Sequence, residues 1–150
     1  MTVITYRDGV MACDSCWSED NLVIAMQPKI FRLRGGALYG AAGDVDDRAI
    51  MDAVEGARTP ADLPSFQFLF DIKNDVQALV VFPNGDVYLI ETDPAGVMPV
   101  RAPFSAIGCG KKIALGALAA GKSAVEAAEI ACEYDVFCRP PIYLLNLDGS

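Results

Sequence analysis

The sequence contains no histidine. That absence excludes Ser-His-Asp and Cys-His nucleophilic mechanisms and removes histidine-based metal sites. An enzyme built on this chain takes its base from Lys, Asp, Glu, Tyr or the chain's own amine. Long apolar runs are absent too: the longest candidate, Ile113 to Ala120, is flanked by Lys111, Lys112 and Lys122 and falls far short of the ~18–20 residues of a membrane span. The opening residues, Met1 to Asp8, lack a basic stretch followed by an apolar one, so no secretory signal is expected. Positive charge is scarce, with 12 Lys+Arg against 20 Asp+Glu and a net charge of −8. An acidic chain disfavours a nucleic-acid partner, which needs a basic surface, and fits a soluble cytoplasmic protein.

What is present describes a globular chain. Apolar residues make up 53% and charged residues 21% of the 150 positions, which excludes disorder. The length predicts one domain over residues 1–150, able to bury roughly 68–70% of its unfolded surface. The cysteines, Cys13, Cys16, Cys109, Cys132 and Cys138, are odd in number and read as free thiols in a reducing compartment. Cys13-Asp14-Ser15-Cys16 is a lone C-x-x-C without the second pair that a zinc site wants and without a following helical pattern. These thiols read as small hydrophobes in a core, and no cofactor or metal is expected.

Along the chain, Thr2 to Tyr6 predicts a strand, Arg7-Asp8-Gly9 a turn and Val10 to Cys13 a returning strand. Lys29 to Leu33 alternates polar and apolar residues, as a half-buried strand does. Gly35-Gly36 turns this into Ala37 to Ala42. The spacing of Ala49, Ile50, Ala53, Val54 and Ala57 predicts a helix over 44–58, broken by Thr59-Pro60 and Leu63-Pro64. Ala78 to Phe82 and Val87 to Glu91 flank Pro83-Asn84-Gly85-Asp86, a hairpin signal. Pro94 to Pro103 reads as irregular or edge structure. Gly110 to Ala120 is helical. Ser123-Ala124-Val125-Glu126 is a capping box opening a second helix to Tyr134, and Ile142 to Leu147 is a last strand. This order predicts an α+β arrangement of mostly antiparallel sheets with helices packed on them.

The run Thr2-Val3-Ile4-Thr5-Tyr6-Arg7-Asp8-Gly9-Val10-Met11-Ala12-Cys13-Asp14-Ser15 resembles the opening of proteasome β-type and HslV-type subunits, which are N-terminal nucleophile hydrolases. Four later segments resemble that family in the same order. Lys29 to Leu33 is similar to its lysine-bearing strand, and Gly40-Ala41-Ala42-Gly43-Asp44 to its glycine-rich strand end. Ser105-Ala106-Ile107-Gly108-Cys109-Gly110 resembles its Ile-Gly-Ser-Gly segment, and Tyr134-Asp135-Val136-Phe137-Cys138 its Asp-x-x-Ser/Thr segment. The resemblance implies a four-layer αββα sandwich of two antiparallel sheets between helices. It implies a threonine-type peptidase in which removal of Met1 makes Thr2 the nucleophile. Asp14 and Lys29 would be its supporting pair, Gly43 a backbone donor to the oxyanion, and Asp135 a further catalytic residue. It also implies a peptide or unfolded-protein substrate, a homo-oligomer as a ring or related assembly, and an ATP-dependent unfoldase acting in trans.

That chemistry suits a chain without histidine. A threonine hydroxyl needs an adjacent base, and a free α-amine, with a pKa of about 7.7–8.0, transfers protons near neutral pH. A lysine ammonium beside it favours the alkoxide, and a glycine N–H lets a substrate approach closely. Three features depart from the family: a shorter opening hairpin, a short stretch between Arg58 and Ala78 with Phe66, Phe68 and Phe70, and Cys109 and Cys138 at hydroxyl positions. A thiol is a weaker donor than a hydroxyl. Two alternatives therefore stand beside the peptidase: an inactive, diverged assembly or binding protein, and a small-molecule amidohydrolase.

Overall fold

The computed structural model describes residues 2–19, 22–43 and 48–150. The β-branched opening forms β1 (Val3–Arg7), which reverses at Asp8-Gly9 into β2 (Val10–Cys13). Asp8 and Gly9 carry φ of 51° and 80°, as a two-residue turn needs if its twist is to match the flanking strands. There follow β3 (Cys16–Glu19), β4 (Leu22–Met26), β5 (Ile30–Arg32) and β6 (Leu38–Gly43). After the short helices α1 (Ala49–Val54) and α2 (Phe66–Asp71) come β7 (Val76–Val81), β8 (Val87–Thr92), β9 (Ala95–Val100) and β10 (Phe104–Gly108). The chain closes with α3 (Lys111–Ala119), α4 (Ala124–Tyr134) and β11 (Tyr143–Asn146).

The strands form a four-stranded sheet in the order β10-β1-β2-β11, a two-stranded ribbon β3-β4 and a five-stranded sheet in the order β5-β6-β7-β8-β9. Every pairing among the described residues is antiparallel. The mixed architecture of antiparallel sheets and helices agrees with the class expected from sequence. No helix among the described residues is long and apolar enough to cross a membrane.

Three apolar clusters hold these elements together. One packs Val76, Ala78 and Val80 of β7 with Ile50 and Val54 of α1 and Leu69 of α2. The second draws Ile4, Met11 and Ile107 from the four-stranded sheet and Leu38, Leu79 and Val81 from the five-stranded sheet. The third sets Val3, Ala12 and Ala106 against Ala114 and Leu118 of α3 and Ala124, Ala127, Ala128 and Ala131 of α4. Strand β7 therefore sends alternate side chains into different clusters, the period-two signature of a strand buried on both faces. The alanines of α4 let it lie close to the sheet. Its capping box forms as read: Ser123 Oγ accepts from the Glu126 N–H and Glu126 Oε1 from the Ser123 N–H, each at 3.1 Å.

Some elements differ from the sequence reading. The helix expected over 44–58 is the shorter α1, and the expected start over 44–47 lies outside the described residues. Its apolar spacing runs on to Ala57, but the carbonyls of Val54 and Glu55 accept from the Ala57 and Gly35 N–H groups, each at 3.0 Å. Gly56, a poor helix former, ends it there. Pro94 to Pro103, by contrast, does supply the edge structure expected of it, as β9 at the edge of its sheet. The phenylalanine-rich stretch is α2, N-capped by Ser65 Oγ, with Phe66 and Phe70 exposed and stacked at 5.7 Å. The β3-β4 ribbon was not anticipated.

Leu79, fully buried in the cluster between the two larger sheets, provides the stability test. Leu79→Ala is expected to cost about 2–5 kcal/mol by urea unfolding, whereas Met98→Ala on the exposed β9 stays within about 0.5 kcal/mol.

Candidate active site

Thr2, Asp14 and Lys29 each stand at the end of a strand. Thr2 precedes β1, Asp14 follows β2, and Lys29 precedes β5 of the other sheet. The β1-β2 register pairs Ile4 with Cys13, so Asp14 falls opposite Val3 and donates its N–H to the Val3 carbonyl at 3.2 Å. From the neighbouring sheet Lys29 reaches across. Its Nζ donates to Thr2 Oγ1 at 3.0 Å and to Asp14 Oδ1 at 2.9 Å. The structure thus brings together three residues predicted from sequence to form one site.

Asp14 is completely buried and Lys29 nearly so. A buried carboxylate needs its lone pairs satisfied, and Asp14 meets that demand with its own backbone surroundings. Oδ1 also accepts from the Val3 N–H at 3.1 Å, and Oδ2 from the Cys16 N–H at 3.3 Å and the Arg139 N–H at 3.1 Å. Ser15 fastens the same segment, its N–H donating to the Arg139 carbonyl at 3.0 Å and its Oγ to the Pro141 carbonyl at 2.8 Å. The chain before β11 is therefore part of the wall behind Asp14, a role that no local pattern around Arg139 announced.

Gly43 ends β6 with φ +99°, and a Cβ there would lie 2.2 Å from the Asp75 carbonyl oxygen. No other residue type fits that corner without moving the strand beside it. Gly108 repeats the arrangement at the end of β10: its φ is +97° and a Cβ would meet the Thr2 carbonyl oxygen at 2.1 Å. Sequence reading assigned a role to Gly43 and none to Gly108. Between these corners lies a cavity of about 380 Å³ bordered by Thr2, Gly43, Asp75, Gln77, Asp93 and Lys111. The last four were not anticipated: Asp75 and Gln77 stand at the start of β7, Asp93 between β8 and β9 and Lys111 at the start of α3, and they share no motif.

Asp135 joins a second group. It caps the C-terminus of α4, and its Oδ1 accepts from the Phe137 N–H at 2.9 Å. Its carboxylate clusters with the thiols of Cys109 and Cys138, which lie 3.8 Å apart. Cys109 Sγ also accepts from the Thr2 N–H at 3.2 Å, so this group touches the first one at residue 2. The hydrogen bond from Cys138, aided by the one from Thr2, draws the Cys109 thiol down to about 7 despite its partial burial. Donating that bond, together with burial, pushes the Cys138 thiol up. Burial alone dominates at Cys13 and Cys132, pushed up to about 11 and about 12. Of the two sulfurs, Cys109 is the exposed one and the one whose thiolate is favoured, so it is the one that meets an electrophile. Cys13 and Cys16 of the C-x-x-C are both buried.

The fold is shared with a solved HslV. It superposes on the crystal structure of eukaryotic HslV from Trypanosoma brucei with a TM-score of 0.73 at 17% sequence identity, over 97% of this chain and 98% of that one. The sequence itself matches no protein-family model and no curated protein.

Two outcomes follow from the geometry. Asp14→Ala leaves the Lys29 ammonium buried without its carboxylate and is expected to cost about 3–5 kcal/mol in urea unfolding. Alkylation by iodoacetamide, followed by peptide mass mapping, is expected to rise roughly tenfold at Cys109 between about pH 6 and about pH 8 as its thiolate fills. Cys13 and Cys132 stay unlabelled over that range.

Proposed function

We propose that this chain is a threonine-type peptidase of the N-terminal nucleophile class, one domain with the αββα layer order, acting through Thr2 once Met1 is removed. The observation that carries this reading is the Lys29 ammonium, 3.0 Å from Thr2 Oγ1 and 2.9 Å from a fully buried Asp14. A lysine spends a large desolvation cost to stand there, and beside a threonine hydroxyl it favours the alkoxide. The three apolar clusters support the layer order, and the likeness to HslV supports the class.

In this mechanism the α-amine of Thr2 takes the proton from Oγ1 as the oxygen attacks the scissile carbonyl carbon. The carbonyl π pair moves to oxygen, and the Gly43 N–H receives the resulting charge. The tetrahedral species collapses, the C–N bond breaks, and the amine returns its proton to the leaving nitrogen. An ester on Thr2 remains, which water hydrolyses by the reverse proton path. Asp14 holds Lys29 in position, and Asp135 acts through the Cys109–Cys138 pair next to residue 2. The substrate class is a peptide or unfolded protein, and the working form is a cytoplasmic homo-oligomer served by an ATP-dependent unfoldase.

A second reading, an inactive assembly or binding protein, draws on the two thiols in place of hydroxyls beside residue 2. Intact mass separates the two readings: loss of one methionine is required for the peptidase, and retention of Met1 favours the inactive form. On processed protein, a fluorogenic peptide and an electrophilic peptide inhibitor are expected to report turnover and modification at Thr2. Thr2→Ala abolishes both, and Lys29→Ala lowers turnover by about 10²–10³, as loss of an electrostatic stabiliser does. Equal turnover in the parent and Thr2→Ala overturns the assignment.

A further inference from the structure

Cys109, Asp135 and Cys138 converge from two corners of the chain onto one point beside residue 2. Cys109 lies between β10 and α3, while Asp135 ends α4 and Cys138 follows one turn later, its N–H donating to the Asp135 carbonyl at 3.2 Å. The two sulfurs and a carboxylate oxygen all lie within 4.8 Å of one another. The sulfurs themselves are 3.8 Å apart. Two zinc–sulfur bonds of about 2.3 Å, opened to the tetrahedral angle, span about 3.8 Å, whereas a disulfide needs about 2.0 Å. The pair stands at the spacing of two ligands to one ion.

The surroundings hold this spacing. A Cβ on Gly110 would come within 3.0 Å of both Cys138 Sγ and Val3 Cβ, so the missing side chain leaves room for the inner sulfur. The Phe137 N–H orients the Asp135 carboxylate at 2.9 Å, the kind of outer contact that fixes metal ligands, and the nitrogen of residue 2 lies 3.2 Å from Cys109 Sγ. Cys138 is buried, Asp135 half-buried and Cys109 exposed, which gives the cluster a closed back and an open entrance.

We propose that Cys109, Cys138 and Asp135 bind a borderline-soft divalent cation, zinc, in a tetrahedral site whose fourth position faces the nitrogen of residue 2. Thiolates select zinc over magnesium and calcium, which take oxygen ligands, and binding releases the thiol protons to solvent. The site stands on its own three side chains. Its consequence for activity rests on the peptidase reading: with Met1 removed, the amine completes the tetrahedron, and a lone pair given to zinc no longer accepts the Thr2 proton. With Met1 in place, a water completes it.

The test titrates the reduced, metal-free full chain with Co²⁺ and then Zn²⁺. A single equivalent of Co²⁺ is expected to produce thiolate-to-cobalt charge-transfer absorption and tetrahedral visible bands, and a single equivalent of Zn²⁺ to erase them. In competition with a chromogenic chelator, Cys109→Ser and Asp135→Asn each weaken Zn²⁺ by at least the roughly 10–100-fold that loss of even an outer-shell partner costs, while Cys132→Ser binds as the parent does. Cys109 is exposed, so its serine variant, checked by its unfolding midpoint without metal, decides the matter even where Cys138→Ser does not fold. Absence of stoichiometric binding overturns the site, as does binding that survives Cys109→Ser or Asp135→Asn. Zinc inhibition of the processed enzyme, reversed by chelator, supports the amine as fourth ligand, and zinc binding without inhibition overturns that placement. A metal-free chain that never turns over peptide counts against the peptidase and leaves the titration readable.

Discussion

A lysine ammonium and an aspartate carboxylate meet where water is almost excluded, and much of the surrounding backbone is arranged to make that possible. Removing two such charges from water costs several kcal/mol each, and their mutual attraction offsets this only when the remaining hydrogen-bonding capacity is also met. Asp14 meets it with N–H groups from Val3, Cys16 and Arg139. Those donors belong to the start of β1, the start of β3 and the segment leading to β11, so one carboxylate ties its own turn to the first strand and to a segment 125 residues away. Lys29 adds a fourth, because it stands on the opposing sheet. The ion pair is thus the pin that sets the two larger sheets against each other at the end where Thr2 lies.

Around that pin, glycine corners and thiols shape what the site can do. Gly43 and Gly108 bring backbone closer to Asp75 and to Thr2, respectively, than any side chain permits, and both corners border the cavity. On the other side of residue 2, the thiols of Cys109 and Cys138 lie within hydrogen-bonding reach at 3.8 Å. A hydroxyl pair in the same place would be a hard, neutral relay. The thiol pair is soft, and the bond between its sulfurs lowers the Cys109 thiol, so the proposed proton transfer and the proposed metal binding fall at the same point. The two chemistries compete for the same nitrogen.

Much of this was legible along the chain wherever the physical cause is local. The Asp8-Gly9 turn, the Pro83–Asp86 hairpin and the Ser123–Glu126 capping box involve residues a few positions apart, and each formed as read. The reading over-extended α1 because apolar spacing continues to Ala57 even though the carbonyls of its last turn are taken by Gly35 and Ala57. The edge position of Ala95 to Val100 was legible too, because Pro99 is tolerated at a sheet edge and not in a strand interior. Thr2, Asp14 and Lys29 were identifiable as a set through the resemblance. The cavity walls at Asp75, Gln77, Asp93 and Lys111 were not, since each alone is an ordinary polar residue.

The sequence by itself determined the chemical inventory: no histidine, an acidic balance, free thiols, and a threonine, an aspartate and a lysine placed at strand ends. These follow from composition and from interactions spanning a few residues. Only the tertiary structure decided that Lys29 Nζ lies 3.0 Å from an oxygen 27 residues away, and that Cys109, Asp135 and Cys138 share one point. Such distances depend on the stacking of two sheets and the docking of α3 and α4. Apolar burial over the whole molecule supplies the free energy for that closure, and no short stretch of sequence encodes it.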